Sequence, residues 1–296
     1  MSTQTATEQL FRIANRTPFN IAPKQGEQLA TNIFGDRKWR IEPGNGKANF
    51  EAVPSKATII LHYSGLASLW CTSYAAFHIM DVASRAQRAA DYNISQHIDI
   101  GKECQELNVN KHVNYAKSLF AADSPWPNEL NMPNPSAPLD SKEGRINNVF
   151  FGALSWILLH EIAHVYHNDS ALVPSYISIS QEYKADAFAT QWILSDAGFG
   201  LQREFRVLMI SVALCWLFML ESVRGQGTSH PATILRLREA ANQFDVGERS
   251  AGIENACYVF KAILDPQGPA AKMDSPREMF GEICNRLEEL FPVRNR

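Results

Sequence analysis

Asn148-Val149-Phe150-Phe151-Gly152-Ala153-Leu154-Ser155-Trp156-Ile157-Leu158-Leu159-His160-Glu161-Ile162-Ala163-His164-Val165 is a long, apolar, helical run. Val149, Phe150, Ala153, Leu154, Ile157 and Leu158 give it an apolar face ahead of His160. Residues four apart on a helix share a face, one turn apart, so the rings of His160 and His164 can reach one Zn²⁺ together. Glu161 can then serve as the base for a zinc-bound water. Ile162, Ala163 and Val165 keep charge out of the motif. Dry walls of that kind fix the ligands and strengthen the metal's field.

Two histidines leave tetrahedral zinc two ligands short, and a catalytic site wants one more protein ligand and one water. Gln181 to Leu194 reads as a second helix, with Glu182 and Asp186 at i and i+4. Glu182 is the expected third ligand. Asp186 is expected to hydrogen-bond the far nitrogen of a metal histidine and fix its tautomer. Phe188, Trp192 and Ile193 would pack this helix against the first. Glu182 follows His164 by eighteen residues, enough for a loop and a return. An ordinary surface pattern is the weaker reading, because these ionisable groups are embedded in apolar sequence and burial demands partners. So is a structural zinc, which usually fills all four positions, often with cysteine.

Ser229-His230-Pro231-Ala232-Thr233-Ile234-Leu235-Arg236 starts a further helix, with Pro231 suited to its first turn. His230 sits at its mouth and Arg236 about two turns along. Either can stabilise the oxyanion formed when water attacks an amide carbonyl. His230 also has a plain reading as a helix-start histidine.

These three segments, in this order, resemble the gluzincin metallopeptidases, whose third ligand is the Glu of an E-x-x-x-D helix. More specifically, the chain resembles the Lit-type phage-exclusion zinc metallopeptidases of bacteria. Thr17-Pro18-Phe19-Asn20-Ile21-Ala22-Pro23, Trp156 to Glu161, Ala189 to Leu194 and Ser229 to Ala232 carry that likeness, firmly over 145–240 and loosely elsewhere. The resemblance implies His160, His164 and Glu182 as ligands of one Zn²⁺ per chain. It implies Glu161 as general base, Asp186 as the acid behind the ligands, and His230 with Arg236 as a His-Pro-x-x-x-x-Arg pair near the active site. The implied activity is cleavage of elongation factor Tu, switched on by a segment of a phage major head protein. Cleavage of another regulatory protein by the same chemistry is the alternative enzyme reading. A zinc-containing sensor without turnover is the rival from another class, and the intact Glu161 argues against it.

At 296 residues, 45% hydrophobic and 20% charged, the composition is that of an ordinary globular protein. A net charge of −3 leaves no basic footprint for nucleic acid. Cys71, Cys104, Cys215, Cys257 and Cys284 are scattered, odd in number and without a C-x-x-C pair, which reads as reduced thiols in a cytoplasmic protein. Met1 to Gln9 lacks the basic start and apolar core of a signal peptide. Val207 to Leu220 is nearly all apolar, but its fourteen residues fall short of the roughly 18–20 that span a bilayer, so a buried helix is expected rather than a stable membrane span.

The remaining chain predicts a mainly α fold with a small β-sheet, a gluzincin core with added helices. Helices are expected near 5–15, 26–34, 66–92, 112–122, 250–265 and 274–291. Lys38–Glu42, Asn49–Val53 and Ala57–Tyr63 are β-leaning runs between Pro and Gly punctuation. One of them should be a sheet edge that holds substrate extended, since backbone pairing grips a peptide whatever its side chains. His62, on the last of these runs, reads as a packed histidine. Ser124 to Asp140 holds five prolines and reads as a surface connection, or as a loop for a substrate or activator. The expected organisation is an N-terminal region, 1–140, with the sheet and Pro-rich linker, and a helical zinc-peptidase region, 141–296, together one catalytic unit.

Overall fold

Side-chain caps mark where several helices begin: Ser2, Asp99, Ser141, Ser250 and Ser275 each accept an N–H from the first turn that follows. Such caps satisfy main-chain donors that a helix start leaves without partners. The computed structural model describes residues 1–34, 39–91, 99–170, 172–269 and 273–294. From the N-terminus come α1 (Thr3–Ala14), α2 (Thr17–Ile21), α3 (Gly26–Gln28), a π-helical turn (Leu29–Phe34), β1 (Arg40–Gly44), β2 (Phe50–Val53) and β3 (Thr58–His62). Then follow α4 (Tyr63–Asp91), α5 (Ile100–Glu106), α6 (Val109–Ala121), α7 (Lys142–His167), α8 (Ser175–Ser195) and α9 (Leu201–Arg224). The last three are α10 (Thr233–Ala241), α11 (Ala251–Leu264) and α12 (Pro276–Leu290). The protein is mainly helical with one small sheet, as its sequence predicts.

α7 is the axis of the core. Seventeen of its 26 residues are buried, on every side of the helix, so it is enclosed rather than amphipathic. α4, α8 and α9 pack around it. α7 and α9 are both long and apolar enough to cross a membrane, with 78% and 67% of their apolar windows buried inside the fold. The length argument from Val207–Leu220 therefore does not hold: flanking residues extend the helix to 24. Its apolar face is used instead in packing against α7 and α11.

The sheet has the order β1-β3-β2, with β1 parallel and β2 antiparallel to the central β3. Ile59 and Leu61 of β3 are fully buried. β2 is an edge strand in register Phe50↔Leu61 to Val53↔Thr58, and it lies against α7. All three β-leaning runs become strands, although Lys38 lies outside the described residues, as does Tyr92 at the expected end of α4. The helix expected at 26–34 is irregular, a single α turn followed by the π turn. Thr17-Pro18, expected to follow a helix end, opens α2, because proline suits a first turn. Pro231 and Ala232 precede α10 rather than beginning it.

The Pro-rich segment is an irregular strap, not a free surface loop. Trp126 and Leu130 are buried, and the Trp126 indole donates to the Leu130 carbonyl. Asn147 of α7 reaches the strap by donating to the Asn134 carbonyl. The five cysteines are free thiols. His62 is half-buried against Gly44, apart from the other motif histidines.

Gly65, in the first turn of α4, sets the distance between that helix and the chain entering β2. A Cβ built there would lie 2.6 Å from the Asn49 carbonyl oxygen, which is main chain and cannot swing aside. Gly65→Ala is expected to destabilise the fold by about 1–3 kcal/mol through overpacking. Equilibrium urea unfolding tests this, and an unchanged midpoint would mean that the contact is not tight.

Candidate active site

α7 and α8 bring three motif side chains to one point. His160 and His164 lie one turn apart on α7, with their Nε2 atoms 3.1 Å from each other. From α8, Glu182 places Oε2 3.4 Å from His160 Nε2 and Oε1 3.4 Å from His164 Nε2. One ligand atom from each of the three residues lies within 4.8 Å of the others. Glu182 Oε2 is buried without a hydrogen-bond partner. Two imidazoles and a carboxylate, converging with an orphaned oxygen, fit a zinc ion that keeps one position open.

The electrostatics also call for a cation. Burial opposes charge on His160, but the Asp186 and Glu182 carboxylates outweigh it and push its pKa up to about 10. Burial would raise Glu182 in turn, yet His160 and His164 hold it well below the usual carboxylate range. A metal ion answers the same demand that a proton answers here.

Asp186, one turn beyond Glu182, accepts from His160 Nδ1 at 2.9 Å and so aims Nε2 at the cluster. Arg236 of α10 grips the same carboxylate with two hydrogen bonds, from Nε at 2.7 Å and Nη2 at 2.6 Å. Its Nη1 is 3.9 Å from Glu182 Oε2, and its guanidinium lies 5.8 Å from the centre of the Trp156 ring. Trp156 in turn donates to Thr190 of α8 at 3.0 Å, tying α7 to α8 behind the histidines. Burial acts to raise the pKa of Asp186, while Arg236 and His160 hold it below the ordinary value. Arg236 is 5% exposed and committed to Asp186.

His230 has a different setting. Its side chain is 57% exposed, with Nε2 3.5 Å from Glu182 Oε1 and Nδ1 2.7 Å from Ser229 Oγ. The loop that carries it is tied at both ends. Ser178 of α8 donates to the Ser229 carbonyl, and Glu221 of α9 accepts from both the N–H and the hydroxyl of Thr233. Glu221 thereby replaces the local cap that Ala232 cannot provide.

Glu161 points to the side of the cluster that β2 borders. Burial raises its pKa, against the pull of His160, His164 and the Ala52 main chain of β2. Two adjoining cavities, of about 390 and 380 Å³, meet at Asn49, Phe50, His160, Glu161, Ser229 and His230. The larger runs between Trp156 of α7 and Trp216 of α9, and the other passes along Glu51 and Ala52. The Pro-rich strap lines neither cavity.

One residue of the site escaped sequence reading. Asp169, just past the end of α7, places Oδ2 2.9 Å from His164 Nδ1. Asn168 makes this turn by adopting a left-handed conformation, φ 52°, which asparagine tolerates better than most residues. An Asn-Asp pair immediately after an H-E-x-x-H helix is the signal that was available.

Arg236→Met is expected to cost about 3–5 kcal/mol of stability, because buried Asp186 would lose its guanidinium partner and keep only His160. Urea unfolding of the metal-free protein checks this. A loss below about 1 kcal/mol, the worth of a surface pair, would show that the pair is not buried in effect.

A sequence profile of the Peptidase U49 family matches residues 59–256, about two thirds of the chain, from β3 into α11. The chain is also similar to the Cell death peptidase of Escherichia coli (strain K12), 28% identical over 290 residues that cover 94% of each protein. No solved structure matches significantly. The matched region contains His160, Glu161, His164, Glu182, Asp186, His230 and Arg236 together, and the chain belongs to the Peptidase U49 family.

Proposed function

We propose that the protein is a zinc-dependent endopeptidase of gluzincin type, working in the cytoplasm on a protein substrate. The convergence of His160, His164 and Glu182 beside Glu161 is the observation that carries this reading. Membership of a peptidase family agrees with it. A zinc ion held by those three side chains supplies Lewis acidity toward the scissile carbonyl and the attacking water.

The chain's own groups supply the rest. Glu161 takes the proton of the attacking water and delivers it to the leaving amine. Its burial favours the protonated form and suits a base that must later act as an acid. His230, exposed at the cleft, donates to the developing oxyanion. Arg236 acts one layer behind, holding Asp186 charged and His160 aimed. The outer edge of β2, which has no strand partner among the described residues, pairs with an extended substrate main chain. We read the N-terminal sheet and the helical region as one catalytic unit, since β2 packs on α7 and both line the same cleft.

The relative's name, Cell death peptidase, supports a role in a response that ends in death of the cell. The substrate that fits this role and the resemblance of the motifs is elongation factor Tu, with a phage head-protein peptide as trigger.

The purified protein is expected to bind one zinc per chain, and Glu182→Ala to weaken that binding without unfolding. Chelator competition measures it, and undiminished affinity in the variant would point to another third ligand. Incubation with elongation factor Tu, with and without the phage peptide, should yield a peptide-dependent cut that Glu161→Gln abolishes while keeping zinc. Cleavage by Glu161→Gln at the wild-type rate would remove Glu161 from the mechanism. No cut by zinc-loaded wild type would separate this protein from that substrate and trigger.

A further inference from the structure

The geometry points to Asp169 as a positioning residue for the metal site, holding His164 as Asp186 holds His160. This rests on the metallopeptidase reading above. Its Oδ2 is 2.9 Å from His164 Nδ1, so Nδ1 carries the proton and Nε2 keeps an unprotonated lone pair, facing His160 Nε2 and Glu182. The main chain makes the same connection a second time: the Asp169 N–H donates to the His164 carbonyl at 3.0 Å. Asp169 is therefore bound to one residue through both its backbone and its side chain. Ring orientation at His164 follows from how α7 ends.

The two histidines are braced by carboxylates in unlike settings. Asp186 is 4% exposed and shares its charge with Arg236. Among the described residues, Asp169 forms an ion pair with His164 alone, and its side chain is 16% exposed at the rim of the cleft. The full charge of Asp169 thus bears on His164 Nδ1. An anionic partner makes an imidazole a stronger ligand than a neutral acceptor does. His160 is held by a rigid, charge-balanced pair, whereas His164 is held by an uncompensated carboxylate on a turn. Asp169→Asn keeps an acceptor for Nδ1 but removes the charge, and Asp169→Ala removes both.

The test is zinc affinity of the full chain by competition with a chromogenic chelator, for wild type, Asp169→Asn and Asp169→Ala. The visible spectrum of each protein loaded with Co²⁺ is recorded, together with the thermal midpoint of each metal-free form. The expected result is a roughly 10–100-fold weaker affinity for Asp169→Ala, with Asp169→Asn between it and wild type. The Co²⁺ spectrum should change in Asp169→Ala, reporting a displaced imidazole. Equal zinc affinity in wild type and Asp169→Ala would overturn the inference and leave the metallopeptidase reading intact. So would a lowered metal-free midpoint with an unchanged Co²⁺ spectrum, which marks a merely structural turn. Wild type that takes up no zinc would overturn both. If Asp169→Ala does not fold, Asp169→Asn decides: weaker zinc binding supports the inference, and affinity and spectrum equal to wild type overturn it.

Discussion

Two carboxylates one turn apart on a buried helix face cannot both remain charged without nearby positive charge. Glu182 and Asp186 impose this constraint, and much of the surrounding structure meets it. Arg236 comes from α10 to grip Asp186 with two nitrogens. His160 and His164 come from α7 and turn toward Glu182. Trp156 fills the space beneath, stacked near His160, lying against the Arg236 guanidinium and bonded to Thr190. Because three helices contribute to one charge balance, the relative placement of α7, α8 and α10 is fixed by electrostatics as well as by packing. Such arrangements are costly to assemble, and removal of one partner leaves a buried charge alone.

The same balance leaves one part of the site open. Arg236 and Asp186 are consumed by each other and almost wholly buried, although Arg236 still lines the larger cavity. Glu161, His230 and the β2 edge border the cavities. The site is therefore polarised, with a buried back that orients the histidines and an accessible front beside the cavities. Glu221 and Ser178 show how the front is kept in place. Together they hold the loop that presents His230.

Most of the candidate site's geometry was legible in the chain because helices convert spacing into geometry. A separation of four puts His160 over His164 and Glu182 over Asp186 whatever surrounds them. Strand runs were legible for a similar reason, through punctuation by Pro and Gly and an apolar β3. What failed were inferences about length and boundaries. The apolar run at 207–220 stops well inside α9, since charged residues at both ends continue the helix at low cost. Thr17-Pro18 reads as following a helix end yet opens α2, whereas Pro231 reads as suited to a first turn yet lies ahead of α10. Asp169 was missed because its role depends on a left-handed residue that reverses the chain, which no helical periodicity encodes.

From the chain alone it follows that His160 with His164, and Glu182 with Asp186, project from two helices as matched pairs, with Glu161 next to the first, since a turn holds 3.6 residues. The chain also determined a mainly helical fold with three short strands. Only the tertiary structure decided which strand borders the histidines, that Arg236 stands behind Asp186 while His230 faces the cleft, and that Asp169 returns to His164. Those outcomes depend on contacts between residues distant in the chain. They are set by how buried charges find partners, and local pattern carries no record of that choice.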